Sequence, residues 1–137
     1  MPEEKRRVVI DTNLWISFLL TRDFSKFDRL MSADSTTLLI SQELLEELVE
    51  VAERPKFRKY FNLTDLTDLL VKLKRKAELV QVSSQLNVCR DDKDNFLLSL
   101  AIDGKATHLL TGDKDLLVLH PFREVQIQTI ADYLSEG

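Results

Sequence analysis

Several residue types that mark special classes of protein are scarce in this chain of 137 residues. A single cysteine, Cys89, rules out a disulfide within the chain and suits a reducing compartment, with the cytoplasm the expected location. Only three glycines occur, none arranged as a phosphate-cradling loop, which argues against nucleotide binding of that type. No apolar run approaches the roughly 20 residues that cross a bilayer, so no membrane association is expected. The first seven residues are charged and lead into only about four apolar ones, unlike a secretory signal. Positive charge is also short: 19 Lys and Arg stand against 23 Asp and Glu, a formal net charge of −4. That balance excludes a general basic coat for nucleic acid. A polyanionic partner would need local basic patches or bound metal.

Hydrophobic residues make up 44% and charged residues 31%, as in ordinary globular proteins. The length suits one domain with a substantial core, and no repeat, low-complexity segment or linker interrupts it. Residues 7–11 read as a strand that ends in Asp11-Thr12-Asn13 and turns directly into a helix carrying Leu14, Ile16 and Leu20. A short helix is expected over Ser25–Met31 and a second strand over Thr36–Ile40. Ser41 then caps a helix from Gln42 to Glu53 that stops before Arg54-Pro55. Thr64 is placed to cap an amphipathic helix with Leu66, Leu69, Leu70, Leu73 and Ala77 on one face. Leu79–Val82 fits a third strand. An apolar helix over Phe96–Ile102 closes at Gly104, His108–Leu110 is a fourth strand, and Leu116–Leu119 is a short apolar run. Val125–Ile127 is a last strand and Ile130–Leu134 a last helix. Strands alternating with helices predict an α/β fold, a parallel sheet covered on both faces.

Ligands of such sheets bind beyond the carboxyl ends of the strands, which is where the acids fall. Asp11 ends the first strand, and Asp113 follows the fourth by three residues. Each is otherwise a common turn former. Asp94 could serve only the start of its helix, beside a capping Asp91. It also shares a stripe with Leu97, Leu98 and Ala101, and a carboxylate on a buried face is costly unless paired or bound to a cation. Asp91 and Asp92 read as cap and solvent contacts. Among the glutamates after the second strand, Glu47 borders the apolar stripe, being three residues after Leu44 and four before Val51. Glu43, Glu46 and Glu50 point farther away. Crowded carboxylates stay ionised cheaply only around a hard divalent cation, and Mg²⁺ or Mn²⁺ favours such oxygen ligands.

Together the strand ending in Asp11-Thr12-Asn13, the helix from Ser41 through Glu47 to Arg54-Pro55-Lys56-Phe57, the turn Arg90-Asp91-Asp92-Lys93-Asp94-Asn95 and the stretch Thr111-Gly112-Asp113-Lys114-Asp115-Leu116-Leu117 resemble the PIN-domain family. More narrowly they resemble its prokaryotic toxins of toxin–antitoxin pairs, related to the VapC-type ribonucleases. The likeness runs through nearly the whole chain in the right order. It implies a three-layer α/β/α sandwich with about five parallel strands and Mg²⁺- or Mn²⁺-dependent cleavage of RNA. Asp11, Glu47, Asp94 and Asp113 match the family's acidic quartet. Asp115 matches an acid often found just after it, and Thr12, Asn13 and Thr111 match polar residues of the pocket. Many members have proline where this chain has Asp92, which adds an acid and removes none. The resemblance also implies a cognate antitoxin, which would place an arginine among the carboxylates, and homodimers.

The leading expectation is therefore an endoribonuclease with one or two metal ions on Asp11, Asp94 and Asp113, with Glu47 and Asp115 as further candidate ligands. Glu47 either binds a second ion or positions the attacking water. Thr111 and Asn13 orient carboxylates. Lys114, Arg54, Lys56, Arg58 and the Lys72–Lys76 cluster are candidates for guiding the RNA backbone, although most basic residues of such a surface are merely solvated. A DNA nuclease on the same fold ranks lower, because 137 residues leave no room for an added helical arch. A receiver-like, non-catalytic acidic pocket would need a lysine at the end of the last strand, and Val125-Gln126-Ile127 offers none.

Overall fold

Five short strands, the central ones rich in Val, Ile, Thr and Leu, build one parallel sheet in the computed structural model, which describes residues 5–33 and 35–136. The first four residues of the charged N-terminal stretch lie outside that range. The strands are β1 (Arg6–Ile10), β2 (Thr36–Ile40), β3 (Ala77–Leu79), β4 (His108–Leu110) and β5 (Gln126–Gln128), in the order β3-β2-β1-β4-β5. Val8, Val9 and Ile10 are each fully buried although successive side chains point to opposite faces. Both faces of the central strand are therefore covered, which makes a three-layer α/β/α arrangement. The helices are α1 (Thr12–Thr21), α2 (Ser25–Met31), α3 (Gln42–Ala52), α4 (Pro55–Arg58), α5 (Leu63–Lys76), α6 (Asp92–Asp103), α7 (Lys114–Leu117) and α8 (Ile130–Glu136).

The chain runs outward from β1 through β2 to β3, then returns to place β4 on the other side of β1. The crevice between the carboxyl ends of β1 and β4 is thus the switch point of the sheet. In the register, Ile10 lies beside Leu110, and the Asp11 amide donates to the Leu110 carbonyl at 3.0 Å. Asp11 and Thr111 therefore leave their strands side by side.

Most expected elements fall where the pattern puts them, with local shifts. β1 spans 6–10 rather than 7–11, because Asp11 already caps α1. α5 starts earlier than Thr64 suggests, since the Asn62 side chain accepts from the Asp65 amide at 2.9 Å and is the cap. The same helix ends at Lys76, and Ala77 turns extended to pair with Leu38. This moves the third strand from 79–82 to 77–79. Pro55 does end α3, but it also opens the single turn of α4, a position where its missing N–H costs nothing. The run at 116–119 is a helical turn, α7, capped by Asp113, and β5 lies one residue later than expected.

Candidate active site

Asp11 is only 5% exposed, and its carboxylate is fixed from both sides. Its Oδ1 accepts the Asn13 amide at 3.1 Å, and its Oδ2 accepts the hydroxyl of fully buried Thr111 at 2.8 Å. The same Thr111 oxygen accepts the Asp113 amide at 3.0 Å, so one hydroxyl ties the ends of two neighbouring strands. Asp113 in turn caps α7, accepting the Asp115 amide at 2.9 Å. Burial is the main force pushing the Asp11 carboxyl above its ordinary range, and the bonds from Thr111 and Asn13 oppose it.

Asp94 enters from the first turn of α6, where Asp91 is the cap and accepts the Lys93 amide at 2.9 Å. Leu97, Leu98 and Ala101 on its stripe are buried, as the spacing requires, and Asp94 itself is buried with them. Its carboxyl is pushed up to about 7, first by burial and then by the negative charge of Asp113, with which it shares a hydrogen bond. The nearness of Asp113 thus favours the protonated form of Asp94 in the metal-free protein. The ligand oxygens of Asp94, Asp113 and Asp115 lie within 4.8 Å of one another. Asp115 is also held by Arg90, whose Nη2 lies 3.1 and 3.2 Å from its two oxygens.

Glu47 leans in from α3, half-buried, while Glu43, Glu46 and Glu50 are exposed. Its carboxylate is 3.5 Å from the Thr12 hydroxyl and 3.6 Å from the Lys93 ammonium. Asp11, Glu47, Asp94 and Asp113 all line one cavity of about 230 Å³, together with Thr12, Asn13, Arg54, Lys56 and Phe57. All four expected acids line this cavity, but among the described residues only Asp94 and Asp113 of the four belong, with Asp115, to the group whose oxygens lie within 4.8 Å of one another.

Some expectations land elsewhere. Lys114 is exposed at the start of α7, off the cavity wall, and none of the Lys72–Lys76 cluster lines the cavity. Thr111 acts from behind, through Asp11. Asp91, expected only as a cap, also lines the cavity, and Lys93 was not anticipated there. The available signal was its position next to Asp94, in the turn that opens α6. A second polar feature was also missed. Asn95, Ser99 and Asp103 recur every fourth residue along α6 and hold residues 83–89, which form no strand or helix. Asn95 Oδ1 accepts the Val88 and Cys89 amides at 2.9 and 2.7 Å. Ser99 accepts the Leu86 amide at 3.2 Å, and Asp103 accepts the Ser83 and Ser84 amides at 2.7 and 2.8 Å. The spacing i, i+4, i+8 would have exposed this polar stripe on a helix that otherwise looks apolar.

A parallel sheet with carboxylates gathered at its switch point offers an all-oxygen site of the kind that suits a hard divalent cation. The chain belongs to the PIN-domain family, a family of nucleases, whose model matches residues 7–115. The uncharacterized protein MJ1680 of Methanocaldococcus jannaschii is 33% identical over 122 residues, covering 87% of this chain and 78% of that protein. A chain in the crystal structure of VapBC2 from Rickettsia felis, bound to a DNA fragment from their promoter, has a similar fold. The TM-score is 0.61 at 18% identity, over 90% of this chain and 98% of that one.

Proposed function

We propose that the protein is a metal-dependent endoribonuclease and the toxin of a toxin–antitoxin pair. The observation that carries this reading is the convergence of Asp11, Glu47, Asp94 and Asp113, from four separate segments, on one cavity. The donor set is all oxygen, and Asp94 keeps its proton to about 7, first because it is buried and then because the neighbouring acids repel its charge. Such a site fits Mg²⁺ or Mn²⁺, which would relieve that repulsion. Asp11, Asp94 and Asp113 would hold the ion, with Asp115 and Glu47 offering further oxygens. When bound, the ion supplies a water of lowered pKa and offsets phosphate charge.

The chain's own residues do the rest. Thr111 and the Asn13 amide fix the Asp11 carboxylate, so it need not reorganise when substrate arrives. Glu47, which lines the cavity, would accept one proton of the attacking water as its oxygen bonds to phosphorus in line with the departing ribose oxygen, which takes up a proton from solvent. Arg54 and Lys56 line the same cavity and can take the non-bridging phosphate oxygens. Lys93 offsets Glu47 at the rim. The likeness to a chain of the VapBC2 structure supports an antitoxin as partner, which would silence the site by inserting an arginine among the acids. Self-association into a homodimer belongs to the same reading.

The test is cleavage of structured RNA with Mn²⁺ or Mg²⁺ by the wild type, Asp11→Asn and Asp94→Asn, with single-stranded and flap DNA alongside. Cutting of RNA by the wild type alone supports the proposal. Equal activity in all three proteins removes the site, and preferential cutting of DNA reassigns the substrate.

A further inference from the structure

A second cavity, of about 450 Å³, is lined by Arg58 at the end of α4 and by the residues that follow it. The two have no lining residue in common, but α4 contributes to both. Arg54, Lys56 and Phe57 face the acids, whereas Arg58, Lys59 and Tyr60 line the second cavity. Four cations thus fall within six consecutive residues of a chain whose net charge is −4. Arg54 is 3.7 Å from Glu50, but Lys56, Arg58 and Lys59 are exposed and have no carboxylate partner among the described residues. Arg22, 3.9 Å from the Asp65 carboxylate, also lines the second cavity, and among the described residues Glu53 is the only carboxylate lining it.

Tyr60 is a large aromatic side chain that is 52% exposed, with the Lys59 ammonium 5.2 Å from its ring centroid. An exposed ring flanked by cations that have no carboxylate partner among the described residues adds little to stability. It is what a flexible single strand requires: cations along the phosphates and a flat face for a base. A duplex keeps its bases stacked and could not use the ring.

We propose that the second cavity is a subsite for single-stranded RNA, in which a nucleobase next to the cleaved phosphate stacks on Tyr60 while Arg58 and Lys59 hold its backbone. The inference rests on the nuclease reading for its location relative to the cut, but binding can be measured without cleavage. α4 is then the divider that bends the strand, passing the scissile phosphate to the acids on one side and a neighbouring base to Tyr60 on the other.

The experiment is fluorescence anisotropy of a labelled single-stranded oligoribonucleotide in EDTA, so that no cutting intervenes. It compares the wild type, Tyr60→Ala, Tyr60→Phe and the triple variant Lys56→Ala/Arg58→Ala/Lys59→Ala. All the substituted side chains are exposed, and circular dichroism melting checks that each variant folds. Tyr60→Ala should bind at least about fivefold more weakly, Tyr60→Phe should match the wild type, and duplex RNA should bind more weakly than single strands. The triple variant should lower the slope of log affinity against log salt by about 2, at roughly 0.7 per lost phosphate contact. Wild-type affinity in Tyr60→Ala, or equal binding of duplex and single-stranded RNA, overturns the subsite. So does wild-type salt dependence in the triple variant. Failure of the nuclease reading shows separately, as absence of metal-dependent cutting while these differences in binding persist.

Discussion

The Thr111 hydroxyl donates a 2.8 Å hydrogen bond to the Asp11 carboxylate, joining residues 100 apart in sequence. The pairing of Ile10 with Leu110 makes this contact unavoidable, because each chain leaves its strand at the next residue. Both groups are buried, so the bond has no water to replace it. Thr111→Val should destabilise the protein by about 1–3 kcal/mol through the unsatisfied Asp11 oxygen and Asp113 amide. It should also reduce cleavage, with Thr111→Ser restoring most of both. Chemical denaturation together with RNA cleavage rates checks this. A Thr111→Val protein as active as the wild type would show that the bond does not position Asp11.

Asp94 makes the site sensitive to pH. Its folded-state pKa, about 7, lies above its ordinary 3.8, so the folded protein binds this proton more tightly than the unfolded chain does. Its contribution to metal-free stability is therefore present below about 4, is lost as pH rises toward 7, and is absent above. Asp94→Asn should consequently be more stable than the wild type at pH 8 in EDTA. A divalent cation must displace the proton, so Mn²⁺ should raise the melting temperature more at pH 8 than at pH 6. An equal Mn²⁺ shift at both values would place the cation away from Asp94.

Arg90 holds both oxygens of Asp115, an acid whose oxygens lie within 4.8 Å of those of Asp94 and Asp113. The Arg90 side chain is 87% exposed, so the pair contributes no more than about 1 kcal/mol to stability. Arg90→Ala should leave the melting temperature nearly unchanged and lower the Mn²⁺ concentration needed for half-maximal cleavage. A higher requirement would mean that Arg90 assists the site.

Gly104 offers a control that touches the fold and not the chemistry. A Cβ there would come within 2.9 Å of the Leu39 side chain and 3.0 Å of the Leu100 carbonyl, where α6 packs against the sheet. Gly104→Ala should cost about 1–3 kcal/mol in denaturant unfolding while leaving the metal requirement unchanged.

Gly104 also shows where sequence reading stops. It was legible as the end of a helix, whereas its closest constraint is the approach to Leu39, which depends on tertiary packing. The central strands and the helix after β2 were legible because consecutive apolar residues and a serine cap leave few alternatives. The quartet was legible because Asp94 sits on a buried stripe, where a carboxylate is costly without a partner, and because the strand-end acids and Glu47 fall in the order of the family's motifs. The edges were less so. Asn62 rather than Thr64 caps α5, and β3 begins at Ala77, because pairing with β2 outweighs helical spacing there. Lys93 was marked only by its position beside Asp94, and Tyr60 could not be singled out, since it is distinguished only by the cavity that it lines after the chain has folded.

The central claim is that Asp11, Asp94 and Asp113 hold a divalent cation at the switch point of the sheet. Anomalous scattering from a crystal soaked in Mn²⁺ tests it most directly. The account predicts a peak between those three carboxylates, lost in Asp94→Asn. A peak elsewhere, or one between them that persists in Asp94→Asn, would contradict it.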